Sequence, residues 1–138
     1  MSDDILNPHA ALVSIMVVMA AADNEITDVE LQRMSDMVRI LPVFTEFELE
    51  DLPDVTRECA TLLQADDGLD RLLDRIAASL PSNLAETAYY IACDMAAADL
   101  HVEQEELRLL QIIRQRLDVD RLTAAAIERG VRARHQRL

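Results

Sequence analysis

The sequence predicts an all-α protein, a single compact bundle of about seven helices built from two pseudo-symmetric helix–loop–helix repeats. Half of its 138 residues are apolar, yet only 3% are aromatic and none is Trp, so aliphatic side chains and alanine must form the core. That composition is typical of packed helices. Apolar residues recur at helical spacing, no segment alternates as a strand does, and capping residues and prolines separate the segments.

The first two helices are the most clearly marked. Asn7 and Pro8 supply an N-cap and a first-turn proline for a helix that runs to about Ala22. This helix is apolar nearly all round, so we expect it to lie at the centre of the bundle. Thr27 and Glu30 have the spacing of a capping box, which predicts the start of the second helix.

Prolines and a glycine divide the middle of the chain. Pro42 ends the second helix, and Thr45 with Glu48 predicts another capping box for a short turn that Pro53 interrupts. A third helix follows, and the stretch "QADDGL" separates it from a fourth, which ends at Pro81.

Three helices are predicted in the last part of the chain. Ser82 or Asn83 can cap a long apolar helix that runs through Ala98. The last two helices are marked by apolar residues at helical spacing, namely Leu107, Leu110, Ile113 and Leu117, then Leu122, Ala125 and Ala126.

A shift of 76 positions reveals an internal repeat. It aligns "MAAAD" at Met19 with "MAAAD" at Met95, and it also aligns "EL" at Glu30 with "EL" at Glu106. Acidic and apolar positions therefore recur in one register, which predicts a first repeat over about 9–43 and a second over about 84–119. Because the chain has the usual size of one domain, we expect a single domain over residues 1–138.

The charge is strongly negative and unevenly distributed. The net charge is -13, and residues 1–70 hold 16 acidic and three basic residues, whereas residues 71–138 hold ten of each. Such a field repels phosphate backbones and attracts cations or basic partners, so nucleic-acid binding is disfavoured. The Arg-bearing tail "IERGVRARHQRL" is interpreted as a solvated last helix, with arginine side chains at its C-terminus, where the helix dipole is negative. No site is predicted there.

The cysteines and the N-terminus bear on the cell compartment. Cys59 and Cys93 fit neither a zinc spacing nor a CxxC motif, so we expect reduced core residues. Asp3 and Asp4 precede the first apolar segment, where a signal peptide would carry basic residues. That segment is also too short to span a bilayer, so we expect a soluble, cytoplasmic protein without direct membrane insertion.

The candidate site lies at two acidic junctions between helices. Asp23 and Asp99 each stand at or just past a helix C-terminus, where an aspartate is unfavourable by some tenths of a kcal/mol up to about 1. Glu25 and Glu30 add charge to the first junction, and Glu106 adds charge to the second. A hard divalent cation, Ca²⁺ or Mg²⁺, would relieve this repulsion by taking carboxylate and carbonyl oxygens as ligands.

Helix capping and turn formation also place acidic residues at such junctions. Capping alone accounts for Glu30 and Glu106, and an aspartate in a turn can bond its own backbone. The spacing from Asp23 does not match an EF-hand loop, and no Glu-x-x-His pair of a di-iron bundle is present. His101 lies in the second junction and could be a ligand, although a lone loop histidine is more often exposed.

The junctions "AAADNEITDVEL" and "AAADLHVEQEEL", with "IIRQRLDVDRLTAAAI" after the second, resemble the TerB family of tellurite-resistance proteins over about residues 11–127. Related helical domains occur attached to DnaJ-like co-chaperones. The resemblance implies about seven helices in two repeats and a non-enzymatic part in a stress-response complex near the inner membrane. It also implies a divalent-cation site whose acidic residues fall on Asp23, Glu30, Asp99 and Glu106.

The sequence departs from the family pattern after each aspartate. The family usually has glycine there, and this chain has Asn24 and Leu100. Asparagine tolerates a left-handed backbone, whereas leucine is strained in it. We therefore expect the second junction to differ in shape from the first.

These observations leave three functional hypotheses. The first is a metal-binding module that senses or buffers a divalent cation and docks a partner protein of a stress-response complex. The second is a metal-independent acidic scaffold that binds a basic partner. The third, an enzyme of tellurium or peroxide stress, has the least support because neither cysteine has a His or CxxC context. The oligomeric state stays open.

Overall fold

A computed structural model describes residues 6–23, 26–97 and 103–138, with Asp23 described by its backbone alone. Over these residues it contains seven α-helices and no strand, which confirms the predicted all-α class. The helices are α1 (Pro8–Ala20), α2 (Asp28–Ile40), α3 (Leu52–Gln64), α4 (Gly68–Ser79), α5 (Ala85–Ala97), α6 (Gln104–Arg116) and α7 (Arg121–Arg134).

Two apolar helices form the centre of the bundle. Every residue of α1 from 11 to 20 is buried, and α1 packs against α3, α4 and α5. Helix α5 is nearly as buried, and it also packs against α6 and α7. Because a helix that is apolar on all sides is stable only when neighbours surround it, the sequence pattern of α1 correctly predicts its central position.

The interface between α1 and α3 contains a polar pair inside the core. The Ser14 hydroxyl donates to the carbonyl of Ala10 at 2.7 Å, and its oxygen lies 2.9 Å from the sulfur of Cys59. Ser14 is fully buried, and these contacts satisfy a group that would otherwise be costly to bury. Cys59 and Cys93 are both buried and unbridged, as predicted.

Two predicted details between α2 and α3 are wrong. The Thr45 hydroxyl donates to the carbonyl of Pro42 at 2.6 Å, and Glu48 precedes a 3₁₀ turn without a side-chain cap, so no capping box forms. Pro53 lies in the first turn of α3 and does not interrupt the preceding 3₁₀ turn, which ends at Asp51. A proline fits there because the first amides of a helix have no intrahelical acceptor.

A break separates α3 from α4 as predicted, but the predicted cap of α5 does not form. Asp67 adopts a left-handed conformation with φ 56°, and Gly68 then begins α4 against the end of α3. Ser82 and Asn83 belong to a 3₁₀ turn, Ser82–Leu84, and neither caps α5. Short 3₁₀ turns are frequent at helix N-termini, and the chain enters α5 through such a turn.

The helices of the two proposed repeats are alike in length. Helices α1, α2, α5 and α6 each have 13 residues, and α1 packs directly against α5. The two-fold relation between the repeats and the domain boundaries stay predictions.

Candidate functional site

The first acidic junction begins where α1 ends. Helix α1 stops at Ala20, two residues earlier than predicted, and a 3₁₀ turn over Ala21–Asp23 continues the chain. Asp23 therefore stands just past the helix C-terminus, as the sequence predicts. Neither α1 nor this turn has a basic residue in its last turn. The partial negative charge of the helix carbonyls is thus not offset within these elements.

The start of α2 confirms the predicted capping box. The Thr27 side chain accepts from the amide of Glu30 at 3.2 Å, and Oε1 of Glu30 accepts from the amide of Thr27 at 2.9 Å. The Thr27 hydroxyl donates to the same Oε1 at 3.1 Å. These bonds satisfy amides that the helix itself leaves without acceptors, so capping explains the position of Glu30 without a cation.

The second junction ends in a similar arrangement. Oε1 of Glu106 accepts from the amide of Glu103 at 3.2 Å, and Glu103 occupies the N-cap position of α6. Glu106 is therefore placed as Glu30 is, at the third position of a helix that follows an acidic loop. Asp99 and His101 lie outside the described residues, and so does Glu25 of the first junction.

The fold brings parts of the two repeats together near the junctions. Helix α6, which starts at the second junction, contacts the 3₁₀ turn Ala21–Asp23 of the first, and α2 contacts α5. Among the described residues, no group of three or more His, Cys, Asp or Glu side chains has the arrangement of a metal site. The cation site therefore stays a prediction that depends on Asp23, Glu25 and Asp99.

The sequence interpretation missed a contact between α5 and the C-terminal tail. Asp94 is only 2% exposed, and its Oδ1 lies 2.7 Å from Nε2 of His135 and 3.6 Å from Nη1 of Arg134. Because an ionised carboxylate only accepts hydrogen bonds, the imidazole donates through Nε2. The tail is therefore not merely a solvated helix end: it covers and pairs a buried carboxylate three residues before the end of α5.

A signal for this contact was present in the sequence. Asp94 is a charged residue inside the apolar stretch "YYIACDMAA", and a buried charge requires a partner. The tail "IERGVRARHQRL" is one source of such a partner. Two further contacts attach α7 to α5: the hydroxyl of Tyr89 donates to Oε2 of Glu128 at 2.5 Å, and Arg134 donates to the hydroxyl of Tyr90.

Burial disfavours the thiolate form of both cysteines. Burial raises the pKa of Cys93 to about 12, and burial likewise raises the pKa of the Cys59 thiol. The pKa of the Tyr89 phenol is also raised, first by burial and then by its bond to the Glu128 carboxylate. At neutral pH these groups stay protonated, whereas nucleophilic cysteines are thiolates.

The family relationship follows from the sequence as a whole. The family model described as "Tellurite resistance protein TerB" matches residues 9–129, which is most of the chain and includes both acidic junctions. The chain belongs to the TerB family. No curated protein and no solved structure matches it. The TerB match confirms the resemblance found in the junction sequences.

The helices of this TerB family member are short compared with a bilayer. None of those in the described part of the chain is both long enough and apolar enough to cross a membrane.

Proposed function

We propose that this TerB domain is a non-enzymatic module of a tellurite-resistance-like stress-response system. In this proposal it binds a divalent cation, Ca²⁺ or Mg²⁺, at the acidic loops between α1 and α2 and between α5 and α6, and it docks a partner protein. The observation that carries the proposal is the place of Asp23, just past the C-terminus of a buried helix that has no basic residue in its last turn.

The capping bonds narrow the set of candidate ligands. Glu30 and Glu106 are each fixed by a backbone amide at the start of a helix. Capping gives those two glutamates a sufficient reason to be where they are. No such reason applies to Asp23, because a helix C-terminus favours cations rather than carboxylates. The proposal therefore depends on the two aspartates, with Glu25 and loop carbonyls as further oxygen ligands.

Exposed apolar side chains beside the capped helices support partner docking. Leu31 follows the capping Glu30 and is 40% exposed, and Leu107 follows Glu106 and is 53% exposed. Val29 is 63% exposed in the first turn of α2. Apolar side chains next to charged groups are a common composition of protein–protein interfaces. A partner that contacts α2 and α6 would also be close to the proposed cation.

Calorimetric titration tests the cation. We expect the wild-type protein to bind Ca²⁺, Mg²⁺ or Mn²⁺ at millimolar concentration or tighter, and the Asp23→Asn/Asp99→Asn variant to lose this binding. The control variant Glu50→Gln/Asp66→Asn removes the same charge from exposed positions outside the junctions and should bind as the wild type does. Absence of binding to the wild type, or equal loss in the control, would reject the proposal.

The metal-independent scaffold makes a different prediction. Capture of a basic partner that is weakened by salt but indifferent to chelator would favour the scaffold, because screening acts on charge pairs whether or not a cation is bound. Capture that is abolished by chelator and by the double aspartate substitution would favour the cation-dependent module.

A further inference from the structure

A cleft of about 560 Å³ lies between α5, α6 and α7. Its volume falls within the range of small-molecule sites in proteins. Alanines of α5 leave the space: Ala96 and Ala97 face helices whose larger side chains, Leu107, Leu110 and Val131, form the walls. Leu107 lines this cleft while remaining 53% exposed, so one apolar wall is open to solvent.

The wall that α6 contributes is apolar at one end and positively charged at the other. Leu107, Leu110 and Arg114 are spaced by about one helical turn each, so they extend over about 10 Å of the cleft. Leu107 provides an apolar surface at one end, and Arg114 provides a guanidinium at the other. Arg114 is partly buried, and its Nη1 donates to the carbonyl of Val119 at 3.0 Å, which holds the side chain in place.

The cleft carries positive charge on a protein whose net charge is -13. Arg114 and Arg132 line it, and neither forms an ion pair with a carboxylate in the described part of the chain. Glu128 is the acidic side chain in the lining, and one of its oxygens accepts the Tyr89 hydroxyl. His135 also faces the cleft, with its Nε2 bonded to Asp94.

We propose that this cleft binds a single-chain amphiphile with an anionic head group, such as a medium-chain carboxylate. The alkyl chain would lie along Leu107, Leu110 and Val131, over the alanines of α5. The head group would meet the guanidinium of Arg114, which is suited to carboxylates because it offers paired donors, and Arg132 would add a second positive side chain to the lining. This inference does not depend on the acidic junctions or on a cation.

Calorimetric titration with decanoate, kept below its micelle concentration, tests the cleft in the full chain. We expect one saturable site for decanoate and weaker binding of decanol, which has the same chain and no charge. Decyltrimethylammonium reverses the head-group charge and should not compete. Absence of saturable binding at millimolar decanoate, or equal binding of the cationic amphiphile, would overturn the proposal.

Two exposed positions allow matched variants. Leu107→Asp and Arg132→Gln change the cleft, and we expect each to weaken decanoate binding by about tenfold, as loss of a charged or apolar contact does. Leu122→Asp and Arg129→Gln make the same changes on α7 at exposed residues that do not line the cleft, and these should bind within about twofold of the wild type. Circular dichroism checks that all four variants fold. Wild-type affinity in both cleft variants would place any binding elsewhere and would reject this site.

Discussion

Nε2 of His135 lies 2.7 Å from Oδ1 of Asp94, and this bond joins the end of α7 to a carboxylate that is only 2% exposed. The guanidinium of Arg134 also approaches this carboxylate, with its Nη1 3.6 Å from Oδ1. The pair fixes the C-terminal tail against α5, the helix that leads into the second acidic junction. The stability of that region therefore depends on residues near the end of the chain.

Removing the imidazole should destabilise the fold. We expect His135→Ala to lower the free energy of unfolding by about 1–3 kcal/mol, because a buried carboxylate loses its closest donor. Urea unfolding measures the change, and Gln136→Ala, an exposed neighbour, is the control. In the Asp94→Asn/His135→Ala double variant the loss should be smaller than the sum of the single losses. If His135→Ala matched the control, the contact would have no stabilising role.

In the absence of metal, substitution of the capping residue Thr27 should lower the stability of the fold, and substitution of Asp23 should raise it. Thr27→Ala removes the side chain that caps the amide of Glu30, and it should cost about 1 kcal/mol. Asp23→Asn removes a negative charge past a helix C-terminus, and in chelator it should raise stability by some tenths of a kcal/mol up to about 1.

Added Ca²⁺ should then make the wild type more stable than the aspartate variants. A ligand that binds only the folded state raises its stability, so the wild type should gain on titration and Asp23→Asn/Asp99→Asn should not. Thermal unfolding with chelator and with Ca²⁺ measures both effects. A destabilised Asp23→Asn variant in chelator would show that this aspartate has a structural role of its own.

The two glycines provide a matched pair of substitutions. A Cβ at Gly68 would lie 2.4 Å from the carbonyl oxygen of Leu63 and 2.5 Å from that of Leu62, so the backbone would have to shift. We expect Gly68→Ala to lower the free energy of unfolding by about 1–3 kcal/mol. Gly130→Ala adds a Cβ that meets nothing within 4 Å in α7, and it should stabilise by about 0.5–1 kcal/mol. Equal effects on urea unfolding would contradict the close approach at Gly68.

The buried thiols should not react with thiol reagents in the native protein. We expect neither Cys59 nor Cys93 to react with a thiol reagent at mildly alkaline pH until denaturant is added, since burial raises the pKa of both. Absorbance of the released chromophore measures the rate. Fast reaction of the folded protein would instead indicate an exposed, activated thiol.

The raised pKa of Cys93 also predicts a pH dependence of stability. Its pKa is about 12 in the folded protein against an ordinary value of 9.0, so the unfolded chain releases the thiol proton first as the pH rises. The Cys93 contribution is fully present below pH 9 and is lost between pH 9 and about 12. Urea unfolding across this range should show a shallower decline for Cys93→Ser than for the wild type.

Much of the fold could be predicted from periodicity and caps. Asn7, Thr27 and Glu30 mark helix starts through bonds with amides within three residues, and Pro8 marks one by its place in the first turn, so local sequence is sufficient to identify them. Thr45 and Glu48 have the same spacing but form no box, because Thr45 ends the 3₁₀ turn Pro42–Phe44 and its hydroxyl donates to the carbonyl of Pro42. The sequence pattern cannot distinguish these two cases.

The functional features also separate into those that the sequence predicts and those that only the tertiary structure shows. Sequence by itself determined the helical class, the buried position of α1, the two acidic junctions and the membership of the TerB family, because each depends on local pattern or on overall similarity. Only the tertiary structure decided that Asp94 meets His135, and that α5, α6 and α7 enclose a cleft with Arg114 and Leu107 on one wall. Those contacts join residues far apart in the chain, and their geometry depends on how whole helices pack.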